Sequence, residues 1–414
     1  MSPKSKAQSQ KLAGKSRVES RESKAKNSKL KTQNSKFSQT PHSALRTPQF
    51  VMIGGFLGAG KTTAVAKLAQ HLTKKNLRVG LITNDQGNQL VDTAMLRSHG
   101  FVTEEISGGC FCCRFNSLVD AAKNLSTQTR PDVFIAEPVG SCTDLVATVS
   151  YPLRRIYGED FSIAPLSVLV DPIRAARIFG LEDGGKFSDK VIYIYRKQLE
   201  EADFIVINKC ELLAEKQLSA LRKALAKNFS RAKILEISAR TGAGLENWFS
   251  QIAAGEQSAG AAMEVDYAVY ADGEALLGWL NAAARFSAEK QFDGNKILQQ
   301  LAASIQKKLN RNGAEVAHLK MTLEPDESLG DLAVINLVRN DCVPELSLEL
   351  QEPMRAGELI INLRAEVAPE ILRDAVEKSL AQVAKTGGLK IKLHHLENFR
   401  PGKPVPTHRV LNGR

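Results

Sequence analysis

The sequence has no run of about eighteen consecutive apolar residues, the length a helix needs to cross a bilayer. Its opening lysines and serines lack the apolar core of a secretion signal. The expectation is a cytoplasmic protein with no membrane contact. Cysteine is scarce, six in 414 residues, too few for a disulfide scaffold; in a reducing compartment, thiols that cluster bind metal or do redox work. No internal repeat is present. Basic residues give a net charge of +11, yet residues 1–50 hold twelve Lys/Arg against only Glu19 and Glu22. The rest of the chain is close to neutral. Rich in Ser, Lys, Gln and Asn, the segment 1–48 cannot bury enough surface to offset its ordering entropy and is predicted to be disordered. Nucleic-acid contact is confined to weak, salt-sensitive binding by this tail. A transit peptide is disfavoured by the dominance of lysine over arginine.

What is present is alternation. From Gln49, strand-length apolar runs ("FVMIGG", "RVGLIT", "DVFIAE", "LSVLVD", "DFIVIN", "AKILEIS") are mostly separated by helical patterns. Short runs apolar on both faces suit a parallel sheet with right-handed crossovers. A doubly wound, mostly parallel α/β domain is expected over 49–255. The small-residue stretch Ala253–Glu264 reads as a linker, set at 256–264. Over 265–398, "EALLGWLNAAARF" and "NKILQQLAASIQKKL" carry helical spacing, period-two strands follow, and "PEILRDAVEKSLAQVAK" and "LKIKLHHL" add a helix and a strand. That order predicts a smaller α+β domain, ferredoxin-like in outline, and 399–414 reads as a loose extended tail.

Gly55-Phe56-Leu57-Gly58-Ala59-Gly60-Lys61-Thr62 fits G-x-x-x-x-G-K-[ST] between a strand and a helix. Its backbone N–H groups would curl around phosphates, Lys61 would reach the β- and γ-phosphates, and Thr62 would ligate Mg²⁺. Asn208-Lys209-Cys210-Glu211 follows a buried strand and resembles the guanine-reading N-K-x-D with Glu for Asp; Ser238-Ala239 matches the loop that backs the base. Guanine is favoured over adenine, and Glu211 leaves strict preference open. Glu137 ends one buried strand and would hold Mg²⁺ or its waters; Asp85 ends another and would join the metal shell or bind attacking water. Gln86 and Gln89 are left without a role.

Cys110, Cys112 and Cys113 fall within four residues, in "EISGGCFCCRF". Disulfides among such neighbours are strained, so a shared partner is the better reading, with buried packing cysteines or a redox pair as alternatives. Thiolates select zinc, copper(I) or iron–sulfur clusters over magnesium or calcium. Zinc is the first choice and cobalt the second. Three sulfurs can take three corners of a tetrahedron and leave the fourth open for release. Cys142, Cys210 and Cys342 read as packing residues, with Cys142 notable for following Glu137 closely.

Taken in order, "GGFLGAGKTT", "ISGGCFCC", Glu137-x-x-Gly140, Asp171-Pro172 and "QLEEADFIVINK" resemble the CobW-type members of a metal-handling GTPase family that includes the HypB and UreG nickel chaperones. The resemblance covers about residues 49–250. It implies a GTPase that couples nucleotide state to a transition metal, as metallochaperone or cofactor-assembly factor. Gly55 to Thr63 would hold phosphates and Mg²⁺, the three cysteines the metal, and Asn208 and Lys209 the base. It also implies dimerisation across the nucleotide face. The histidine-rich loop of many relatives is missing, which argues against storage. The leading expectation is a GTP-hydrolysing chaperone that delivers zinc to a client metalloprotein. Its alternatives are a nucleotide-stabilised scaffold without turnover, a cobalt- or cobalamin-related assembly factor, and a thiol redox factor.

Overall fold

The structure, a computed structural model, describes residues 47–86, 91–158, 160–257, 260–327 and 330–412. The expected basic tail lies outside the described residues up to residue 46, as does Gln89. Among the described residues, no helix is long and apolar enough to cross a membrane.

The first half alternates strand and helix, as its apolar runs predict. Its elements are β1 (Gln49–Gly55), α1 (Lys61–Lys74), β2 (Val79–Asn84), α2 (Val91–Ser98), β3 (Thr103–Ile106), α3 (Phe115–Gln128), β4 (Val133–Glu137), α4 (Tyr151–Tyr157), β5 (Ser162–Ile163), β6 (Ser167–Val170), α5 (Pro172–Ile178), α6 (Asp189–Glu200), β7 (Phe204–Ile207), α7 (Glu215–Asn228), β8 (Lys233–Glu236) and α8 (Leu245–Ala254). The strands lie in the order β3-β2-β4-β1-β6-β7-β8, with β5 also beside β1, and every pair is parallel. β1 is central, so the turn after it opens where the strand order reverses, the usual place for a ligand crevice in such sheets. Glu137, Asp171, Asn208 and Ser238 all emerge at that same carboxyl edge, at or just beyond the ends of β4, β6, β7 and β8.

The second half comprises α9 (Tyr267–Leu276), β9 (Leu277–Phe292), α10 (Gly294–Arg311), β10 (Glu315–Pro325), β11 (Ala333–Leu337), β12 (Glu345–Leu348), β13 (Met354–Glu366), α11 (Pro369–Gly387) and β14 (Lys390–Phe399). Its antiparallel sheet runs β12-β11-β10-β13-β9-β14. The stretch β14-β9-β13-β10 carries the ferredoxin-like order, with α10 and α11 as the two crossovers and the β11–β12 hairpin added at the edge. One expectation is corrected here: "LGWLNAAARF" is strand, not helix. β9 is paired on both sides, by β13 and β14, and covered on both faces. Its alanines therefore form an unbroken apolar run whose period does not separate helix from strand.

The two faces of this sheet differ. Leu280, Ala282, Ala284, Leu319, Met321, Ile361 and Leu363 pack in one cluster with Leu298, Leu301, Ile305, Leu372 and Val376 of α10 and α11. The alternate residues Asn281, His318, Lys320, Asn362 and Arg364 point the other way, toward the first sheet. Arg174 of α5 pins the halves together. It is buried and donates to Leu57 O (2.7 Å), to Val316 O and Ala317 O (3.2 Å each), and to Val338 O. Phe56 and Phe187 lie 5.5 and 5.0 Å from its guanidinium. Neither connecting segment is loose. Gln257 is buried and its N–H donates to Ile163 O at 2.8 Å. In the tail, Val410 N–H donates to Ala147 O (2.8 Å), and Arg409 pairs with Asp144 (2.7 Å).

Arg174→Met removes the guanidinium that bridges these four carbonyls and, with it, four buried hydrogen bonds. Urea unfolding should show a loss of about 3 kcal/mol or more; an unchanged midpoint would show that the pin carries no weight.

Candidate functional site

The phosphate loop is shaped by its glycines. Gly60 adopts a left-handed φ of 88° just before α1, and a Cβ there would stand 2.4 Å from Asn208 Nδ2. Asn208 needs that closeness: Nδ2 donates to Ala59 O (2.9 Å) while Oδ1 accepts from Ala239 N–H (3.0 Å). Lys209 Nζ donates to Gly58 O (2.8 Å) and pairs with Asp171 (2.9 Å). Ser238 is buried, and its Oγ accepts from Thr241 N–H at 3.0 Å. Of the base-reading segments expected from sequence, Asn208-Lys209 is thus bonded directly to the phosphate loop, and Ala239 is joined to it through Asn208. Gly58, Gly60, Lys61, Thr62, Thr63, Asn208, Lys209, Glu211 and Ala239 line one cleft of about 650 Å³, within the range of nucleotide-sized pockets. Gly55, at the end of β1, lies behind it against Leu169.

At the phosphate end, Thr62 Oγ1 lies 2.7 Å from Asp92 Oδ1 and 3.0 Å from Glu137 Oε1. Lys320 Nζ approaches the same hydroxyl to 3.2 Å and is ion-paired with Asp92. One hydroxyl proton cannot serve two carboxylates. Burial, and then the charge of Asp92, push the Glu137 carboxyl up to about 7, so it is the acid that holds a proton near neutrality. Burial also works against ionisation of Asp92, but the charge and hydrogen bond of Lys320 and the bond from Thr62 overcome it, and its pKa falls. Glu137 Oε2 is buried without a hydrogen-bond partner among the described residues. Three oxygen donors with one orphaned lone pair fit a hard divalent cation such as Mg²⁺. Asp85 is placed differently from the expectation of a metal-shell acid: its carboxylate is engaged by Arg364 Nη2 at 3.1 Å. Asp92 stands where Asp85 was expected. No motif marks it, and the signal that could have exposed Lys320 was the polar alternation His318-Lys320-Thr322 in an otherwise apolar strand.

The cysteines form a cluster, with Sγ separations of 2.8 Å (Cys110–Cys112), 3.4 Å (Cys110–Cys113) and 3.6 Å (Cys112–Cys113), and all three are free thiols. A tetrahedral Zn–S bond length of about 2.3 Å puts sulfurs about 3.8 Å apart, so the triangle would open by about 1 Å at most. Hydrogen bonds from Cys112, Cys113 and Cys142 pull Cys110 well below the usual thiol range, and donation to Cys110 holds Cys113 up at about 11. Cys110 is the first to ionise. Glu274 of α9 is buried near it, and burial, then the charge on Cys110, raise its carboxyl to about 8.

These sulfurs do not line the nucleotide cleft. Cys110 and Cys112 are buried in the core beside α3, and Cys113 is half-buried. Two short connections bridge the distance. Asn84, in the cleft wall, donates through Nδ2 to Ile106 O (2.9 Å) and Gly109 O (2.7 Å), and Cys142 lies on the loop that begins at Glu137. The tail closes the outer side: Val405 N–H donates to Cys113 Sγ (3.3 Å), Thr407 N–H to Cys112 O (2.8 Å), and Thr407 Oγ1 to Cys113 O (3.1 Å).

The nucleotide-binding domain model of CobW/HypB/UreG matches residues 49–236, the span that carries both the phosphate loop and the cysteine cluster. That span is similar to the CobW/HypB/UreG nucleotide-binding domain. Among curated relatives, the zinc chaperone CobW of a Sinorhizobium species is 30% identical over 46% of this chain and 58% of its own length. The zinc chaperone YeiR of Escherichia coli is 29% identical over 42% of this chain and 49% of its own. The match thus spans about half the length of these relatives. The zinc-bound YjiA GTPase of E. coli overlays 80% of this chain and 98% of its own at 14% identity and a TM-score of 0.33, too slight a likeness to carry an argument. In this cleft, Thr62, Asp92 and Glu137 would hold Mg²⁺, which when bound neutralises phosphate charge.

Glu137 must be ionised to hold that cation. Because its pKa is raised to about 7, nucleotide-supported Mg²⁺ binding at subsaturating Mg²⁺ should weaken as pH falls from 8 to 6 and strengthen as it rises. Glu137→Gln should lower Mg²⁺ affinity and flatten that profile, as read by Mg²⁺ titration of nucleotide binding across pH.

Proposed function

We propose that this protein is a GTP-hydrolysing metallochaperone that carries zinc on Cys110, Cys112 and Cys113 and passes it to a client metalloprotein. The observation that carries the reading is the pairing of a three-sulfur triangle with a phosphate-loop cleft, joined through Asn84 and the Glu137–Cys142 loop. The zinc-chaperone names of the relatives support the choice of metal, and the Asn208-Lys209 bonds to the phosphate loop support the choice of guanine.

The residues supply the needed chemistry in place. Lys61 and the backbone N–H groups after Gly55 bind and orient the phosphates, and Mg²⁺ adds charge neutralisation. Any change at Glu137 that accompanies the third phosphate is transmitted along six residues to Cys142, which touches Cys110. On the other wall, movement of Asn84 releases or holds the carbonyls of Ile106 and Gly109, which set the cysteine loop. Loss of the third phosphate would loosen the sulfurs and let zinc leave. Two copies pairing in the nucleotide-bound state complete the proposal.

Anaerobic zinc titration of wild type and Cys112→Ser, each with GDP and with a non-hydrolysable GTP analogue, tests it. One zinc per wild-type chain is expected, with affinity differing between nucleotide states by about 5- to 150-fold and falling by at least about tenfold in the variant. Phosphate release with GTP and Mg²⁺ should exceed background. Equal zinc affinity in both states removes the coupling; absent hydrolysis favours a nucleotide-stabilised scaffold, and a reversible thiol couple without stoichiometric metal favours a redox factor.

A further inference from the structure

Lys320 belongs to β10, in the middle of the second sheet between β11 and β13, yet its ammonium sits at the phosphate end of the cleft. Nζ lies 3.2 Å from Thr62 Oγ1 and is ion-paired with Asp92. The side chain is only 19% exposed, with His318 buried two residues away on the same face. Its position is therefore built by the fold. In phosphate-loop proteins, the hydroxyl corresponding to Thr62 holds a cation that bridges β- and γ-phosphate oxygens. A group within hydrogen-bond reach of that hydroxyl is within a few ångströms of the third phosphate.

We propose that Lys320 is a phosphate-binding residue supplied by the second sheet, and that it makes the cleft prefer a nucleoside triphosphate over a diphosphate. The inference rests on reading the cleft as a GTP site. A divalent cation on Thr62 and Asp92 uses the same oxygens that Lys320 contacts, and two cations at those oxygens repel one another. The flexible four-carbon stem lets the ammonium yield them while its strand stays in register. Terminal phosphate oxygens, which Lys61 would meet from the first sheet, are then anionic acceptors within its reach. A diphosphate ends short of that position. The third phosphate thus ties the two sheets together, Lys61 on one side and Lys320 on the other. If Lys320 were only an ion pair between the halves, its loss would weaken both nucleotides alike.

Equilibrium binding of GDP and of a non-hydrolysable GTP analogue, with Mg²⁺, is measured on full-length wild type, Lys320→Gln and Lys320→Arg. Losing a charge-assisted contact should weaken the triphosphate analogue in Lys320→Gln by about 10- to 100-fold and GDP by less than about twofold, with partial recovery in Lys320→Arg. The ratio of the two affinities is read on the same folded molecules, so a loss of stability does not move it. Should Lys320→Gln fail to fold, Lys320→Met combined with Asp92→Asn removes both charges and is compared with Asp92→Asn alone. Equal weakening of both nucleotides, no weakening, or a gain for the analogue overturns the assignment while leaving the GTP site standing. A wild type that binds neither nucleotide overturns both.

Discussion

Everything in this molecule depends on a polar sheet face laid over the carboxyl edge of a parallel sheet. An antiparallel sheet with helices on one side ordinarily turns its other side to water. Here that side meets the first domain, and its cations find acids there: Lys320 meets Asp92, Arg364 meets Asp85, and Arg339 meets Asp171 at 3.1 Å. Taking such charges out of water costs several kcal/mol each unless they are paired, so the match is a condition for the halves to close at all. It also defines what the closure makes. The nucleotide cleft becomes a chamber with the phosphate loop as floor and β10, β11 and β12 as roof.

The cysteine cluster is tied to this chamber without opening into it. Asn84 spends both Nδ2 hydrogens on carbonyls of the cysteine segment, while its own strand end forms part of the cleft wall. Behind the cluster, Cys142 is fixed at both backbone groups: its N–H donates to Val139 O (2.9 Å), and Gln198 Nε2 donates to its carbonyl (2.8 Å). A ligand loop held this firmly responds to its anchors rather than to solvent. That favours coupling through a few hydrogen bonds, each able to exist in two arrangements, over direct contact between metal and phosphate.

Much of this was legible beforehand. The glycine spacing, the Asn208-Lys209 pair and the three neighbouring cysteines are local patterns, and each lies where its pattern places it because backbone geometry dictates the chemistry. What escaped was set by long-range packing. Asp92 sits in the first turn of α2 with nothing in its neighbours to distinguish it from a helix-start acid. Lys320 is an ordinary strand lysine until β10 is seen facing Thr62. The Ala-rich β9 read as helix because small residues covered on both faces leave no period to detect. The tail after Phe399, poor in apolar residues, read as loose, although the backbone N–H groups of Val405 and Thr407 and the Thr407 hydroxyl dock it on the cysteine loop.

The tail's docking bears on how a soft metal would be held. A thiolate buried in an apolar core is disfavoured unless donors surround it. Cys110 receives hydrogen bonds from neighbouring thiols, and Cys113 Sγ receives one from the Val405 N–H. Arg409 neutralises Asp144 beneath the tail, and the His408 ring packs edge-on against Phe115, 5.0 Å away. The segment therefore supplies both a lid and part of the electrostatic environment of the sulfurs. A metal held at Cys113 would be flanked on the outer side by the tail residues Val405 and Thr407, while Asn84 and Cys142 brace the cysteine segment from the inner side.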